Sequence, residues 1–67
     1  MKIGEKIKEL RMQNNLSQED LASCCKVKQS AVSKWERGAT VPSAEVVANL
    51  AKFFKVSAGY LLGIENL

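Results

Sequence analysis

The sequence predicts an all-α fold of five helices, and three observations carry that expectation. Apolar residues recur at helical spacing in several separate segments, and no stretch reads as a credible strand. Helix breakers are few: one proline, Pro42, and four glycines, at 4, 38, 59 and 63. Ser17 and Ser57, both good N-capping residues, stand just ahead of apolar stripes.

Ile3, Ile7 and Leu10 fall at i, i+4 and i+7, one face of a helix from about residue 3 to residue 13, with Glu5, Lys6, Lys8 and Glu9 opposite. Asn14 and Asn15 end it, because short polar side chains compete with helical hydrogen bonding. Ser17 caps a second helix of about 18–25, whose first turn, Gln18-Glu19-Asp20, carries acids that complement the helix dipole. Its narrow apolar stripe is Leu21, Ala22 and Cys25, and Lys26-Val27-Lys28 then leaves room for only a tight turn. A third helix points Ala31, Val32 and Trp35 inward and stops at Gly38, where a C′ glycine belongs. After a loop over 39–42, Val46, Val47, Leu50, Ala51 and Phe54 mark a fourth helix of about 43–54. Ser57 opens a short fifth helix through Tyr60, Leu61 and Leu62, closed by Gly63. The whole chain, 1–67, reads as one domain.

Composition narrows the function. The 67 residues carry ten Lys and Arg against seven Asp and Glu, a net charge of +3. At 46% hydrophobic the chain is too apolar for disorder, yet a core this small rarely supplies more than ~3–5 kcal/mol. Neat helix packing or a dimer must help. Histidine is absent, which excludes His-based zinc sites and His general bases. The only cysteines, Cys24 and Cys25, are adjacent; they cannot complete a tetrahedral site alone, and a vicinal disulfide is strained. No Gly-rich phosphate loop occurs. No metal, cofactor, small-molecule ligand or catalytic activity is therefore expected. No apolar run nears the ~20 residues that span a bilayer, and the first residues lack the apolar stretch of a signal peptide. A small, basic, cytoplasmic binding module remains.

Two short helices joined by a tight turn form a helix-turn-helix, the motif in which one helix crosses the DNA backbone and the next enters the major groove. Leu21, Ala22, Cys25, Val27, Val32 and Trp35 brace the pair. The outward positions of the third helix are then Lys28, Gln29, Ser30, Ser33 and Lys34. None is acidic or bulky, and all donate hydrogen bonds, which suits base edges and phosphates.

The ordered set of residues goes further than the motif. Ile7-Lys8-Glu9-Leu10-Arg11, Leu16-Ser17-Gln18-Glu19-Asp20-Leu21-Ala22, Gln29 through Gly38 (QSAVSKWERG), Pro42-Ser43, Leu50-Ala51, Val56-Ser57 and Tyr60-Leu61-Leu62-Gly63 resemble, in order and spacing, the phage repressor and Cro type of regulator, the Xre family. That resemblance implies a five-helix, lambda-repressor-like DNA-binding domain and a sequence-specific transcriptional regulator, expected to be a repressor of a pseudo-palindromic operator. It implies double-stranded DNA as partner and a homodimer. It implies base contacts by Lys28, Gln29, Ser30, Ser33 and Lys34, and phosphate contacts by Gln18 and Arg37, with Gln18 also buttressing the recognition helix. It implies an Arg11–Glu36 pair tying the first helix to the end of the third, and a dimer interface at Tyr60, Leu61, Leu62 and Ile64. Three positions depart from the family pattern: Lys26 where glycine is usual, Lys28 where a capping Ser or Thr is usual, and Gly59 where an acid is usual. The chain reads either as a complete small regulator or as the amino-terminal part of a longer one.

Plainer readings stand beside these. Lys26, Lys28, Lys34 and Arg37 would also fit an ordinary solvated basic face, and Ser33 a phosphate contact or an exposed serine. Trp35 would suit base stacking, but its register with Ala31 and Val32 favours the core. Cys25 fits a small core residue; a redox role for the more exposed Cys24 is the less favoured reading. Tyr60, Leu61, Leu62 and Ile64 would equally bury one face in the core. The rival function is a protein-interaction module on the same scaffold, an antitoxin or adaptor, whose recognition face would tolerate acidic or apolar residues.

Overall fold

The computed structural model describes residues 3–64 and contains α1 (Ile3–Gln13), α2 (Gln18–Cys25), α3 (Gln29–Arg37), α4 (Ala44–Phe54) and α5 (Ala58–Leu62), with no strand among the described residues. Three helix starts, those of α2, α4 and α5, follow capping serines. Ser17 Oγ accepts from the Asp20 N–H at 3.0 Å while the Asp20 carboxylate accepts from the Ser17 N–H at 3.0 Å, a complete capping box. Ser43 and Ser57 cap α4 and α5 by accepting from the Val46 and Tyr60 N–H groups.

All five helices end in one way. A residue in the left-handed region (Asn15, Lys26, Gly38, Lys55, Gly63) is followed by an apolar residue. The N–H of that apolar residue reaches back to a helix carbonyl: Leu16 to Arg11, Val27 to Ala22, Ala39 to Lys34, Val56 to Ala51 and Ile64 to Gly59, at 2.9–3.0 Å. This bonding satisfies carbonyls a helix end would otherwise leave open, and at Leu16, Val27 and Val56 it turns a half-buried apolar side chain back toward the protein. Glycine adopts the conformation freely; Lys26 at φ 58° and Lys55 at φ 59° hold it at a cost of ~1 kcal/mol or more each.

One core serves all five helices: Ile3, Ile7 and Leu10 of α1, Leu21 and Ala22 of α2, Val32 and Trp35 of α3, Val47, Leu50 and Ala51 of α4, and Leu61 of α5. Helix α3 packs on both α1 and α2, so the outward face of α3 is set by two neighbours. The α1–α3 crossing depends on Gly4. It is buried, and a Cβ built there collides with the Trp35 backbone carbonyl.

Candidate nucleic-acid interface

The α2–turn–α3 unit presents Lys28, Gln29, Ser30, Lys34 and Arg37 to solvent, with Ser33 and Gln18 half-buried at its edge. Trp35 and Val32 sit in the core behind them, at 5% and 0% exposure. Lys28 is the N-cap residue of α3 and makes no side-chain capping bond. The first N–H groups of α3 therefore open beside a lysine ammonium, in a charge arrangement that the helix dipole disfavours and a nearby phosphate would relieve.

A hydrogen-bonded chain runs behind this surface. Arg11 Nε donates to Glu36 Oε2 at 2.7 Å and Arg11 Nη2 to Glu36 Oε1 at 3.1 Å, a two-pronged pair across α1 and α3. The two side chains are only 13% and 4% exposed. Arg11 Nη1 also donates to the Leu16 carbonyl at 2.7 Å, fixing the α1–α2 link. The hydrogen bond that Arg11 donates to the Glu36 carboxylate, opposed in part by burial, holds the guanidinium above its already high range. Gln18 Nε2 donates to Glu36 Oε1 at 3.0 Å, and Gln29 Nε2 donates to Gln18 Oε1 at 2.6 Å. Four side chains from three helices thus end on Gln29, at the exposed start of α3. One Gln29 N–H is used on Gln18, which leaves the second N–H and the carbonyl oxygen of this exposed side chain to bond elsewhere.

The structure brings together Arg11, Gln18, Gln29 and Glu36, and it groups the lysines and serines of α3 on one surface. The α5 expectation needs a correction. Leu61 is fully buried at 0% exposure and belongs to the core of its own chain, so it offers no surface to a partner. In a helix of five residues the leucine that turns inward cannot be told from its neighbour by periodicity. Tyr60 is half-buried beneath the Lys6 ammonium, 4.6 Å from its ring centroid, while Leu62 is half-buried and Ile64 is 77% exposed. Leu62 lines an apolar groove of about 340 Å³ with Pro42, Ala44, Val47, Ala48 and Ala58. Sequence reasoning missed this groove because small alanines on the outer side of α4 carry no periodic signal. It also missed Gly4, whose close approach to Trp35 is a tertiary fact.

Comparison with known proteins agrees with the fold. Residues 7–61 match the family model described as helix-turn-helix, and the chain belongs to that family. Its fold is that of the DNA-binding domain of the P22 c2 repressor. It superposes on the P22 c2 repressor bound to a synthetic operator with a TM-score of 0.87 and 33% identity, over 94% of this chain and 96% of that one. The DNA-binding domain of the P22 c2 repressor in solution matches with a TM-score of 0.82 and 35% identity, over 90% of this chain and 79% of that one. Among curated proteins, the HTH-type transcriptional activator BcrR of Enterococcus faecalis is 42% identical over all of this chain and 33% of its own length. The cryptic phage CTXphi transcriptional repressor RstR of Vibrio cholerae is 35% identical over 88% of this chain and 53% of its own. The chain thus spans about a third to a half of these relatives. No helix among the described residues is long and apolar enough to cross a membrane.

Proposed function

We propose that the chain is a sequence-specific, double-stranded DNA-binding transcriptional regulator that places α3 in the major groove. The observation that carries this reading is Gln29, exposed at the start of α3 and held from behind by Gln18, Glu36 and Arg11. A carboxamide with one N–H and its oxygen left to bond matches adenine N6 and N7, a pairing worth ~1–3 kcal/mol of discrimination. Lys28, Ser30, Ser33 and Lys34 supply the remaining base-edge donors, and Gln18 and Arg37 bind phosphates on either side. Burying no acid on the contact face suits DNA better than a protein partner.

The regulator binds as a homodimer through the α4–α5 end, with Tyr60, Leu62 and Ile64 beside the apolar groove. Half-site centres then lie one helical turn apart, ~10 bp. DNA as ligand places it in the cytoplasm. Its action is repression, the role in the name of the Vibrio cholerae relative; the Enterococcus faecalis relative is named an activator. Selection from a random duplex library at physiological salt tests the binding claim. A recovered pseudo-palindrome of that spacing supports it, and recovery without sequence preference overturns it. Transcription from a promoter overlapping the selected site then separates repression from activation.

A further inference from the structure

One feature stands outside the DNA-binding machinery. Cys24 and Cys25, both free, occupy the last two positions of α2. Cys24 is exposed and Cys25 half-buried, and both line one open groove of about 610 Å³ between the end of α2 and the start of α4. Lys26, Val27, Ser43, Glu45, Val46 and Asn49 complete its walls. No third metal-binding side chain joins the thiols among the described residues, so the donor set is two sulfurs. Thiol donors select soft centres. A centre that takes two thiols and carries its own third substituent matches the set.

We infer that Cys24 and Cys25 form a dithiol site for a soft, trivalent, monosubstituted arsenical, and that its capture releases the protein from DNA. The arsenic stays trivalent. With an arsine oxide, two As–S bonds form, the As=O bond and both S–H bonds break, and one water leaves. No thiolate is required, which fits Cys25, whose thiol is pushed up by burial and by the neighbouring Cys24.

Release follows from helix geometry. Consecutive side chains on a helix diverge by about 100°, so one atom bridging both sulfurs cannot leave the last turn of α2 undisturbed. That turn ends in the Lys26 N–H bonds to the Ala22 and Ser23 carbonyls and the Val27 bond to Ala22. These bonds set the angle between α2 and α3, with Lys26 already held in the left-handed region. The release half of the inference rests on the DNA-binding reading above.

The test is intact-mass analysis of the native chain with phenylarsine oxide, followed by monothiol challenge and duplex binding. Wild type takes up one arsenical per chain with loss of one water. It withstands about 100-fold more monothiol than Cys24→Ser or Cys25→Ala, because the second bond closes within one chain. Equal lability in all three proteins overturns the site, as does an adduct that forms only in urea. DNA affinity of the arsenical-bound wild type falls at least tenfold and returns with excess dithiol, while Cys24→Ser keeps its affinity throughout. A stable adduct with unchanged DNA affinity overturns the release. A stable adduct on a chain that binds no duplex at all overturns the DNA reading and leaves the dithiol site standing.

Discussion

Replacing Arg11 with alanine removes three hydrogen bonds at once: two to Glu36 and one to the Leu16 carbonyl. The Glu36 side chain, 4% exposed, is then left with only Gln18 as a side-chain partner. Breaking a buried pair from one side costs ~3–5 kcal/mol, whereas an exposed pair is worth under ~1 kcal/mol. Arg11 retains 13% of its side-chain surface, so the lower end applies, about 3 kcal/mol. For a domain of this size that is a fall of roughly 12–24 °C in Tm. Urea melts followed by circular dichroism read it directly, and Glu36→Ala with the double variant completes the cycle. The cycle should show strong coupling, with Glu36→Ala adding little once Arg11 is gone. A cost below ~1 kcal/mol with additive single variants would refute the claim that this pair anchors α3 to α1.

Four further outcomes are expected. Gly4→Ala should lower stability by roughly 1–3 kcal/mol in urea melts, because the Cβ meets backbone and α1 must shift; a gain of ~1 kcal/mol, normal for a free helical glycine, would contradict the packing. Lys28→Ser should raise stability in urea melts by about 1 kcal/mol through a new N-cap while weakening DNA binding; a gain in both would separate Lys28 from the interface. The Ser17 N–H and hydroxyl hold the Asp20 carboxyl below its ordinary range. Its stabilising effect is therefore present above the unfolded value of about 4 and is lost as pH falls through the lower folded value; Asp20→Asn should flatten the acid limb of a stability–pH curve. Arg37→Ala should weaken all duplexes alike and reduce the slope of log affinity against log salt by about 0.9, read by fluorescence anisotropy.

Helix order and most boundaries were open to sequence reading because apolar spacing agrees with an asparagine stop at α1, a serine cap at α2 and a glycine stop at α3. The exposed face of α3 was equally open, since the buried Val32 and Trp35 fix which side Gln29 and Lys34 occupy. Other parts depend on tertiary structure. Lys55 gives no local hint that it ends α4 in the left-handed region; the apolar Val56 after it, bonded back to Ala51, imposes that conformation. Gly4 reads as a breaker until α1 meets the Trp35 carbonyl. Leu61 and Leu62 are neighbours in a five-residue helix, and only packing decides which is core. The resemblance pointed to the Arg11–Glu36 pair and to Gln18, but the direct bond from Gln29 to Gln18 appears only once α2 and α3 are placed.

The central claim is that Gln29, aligned by Gln18 and Glu36, reads a base. Selection from the same random duplex library with wild type and Gln29→Ala side by side tests it most directly. The account predicts a shared pseudo-palindrome in which the variant loses preference at one position of each half-site, by ~1–3 kcal/mol, with all other positions kept. An unchanged selected site would contradict the placement of α3 in the groove.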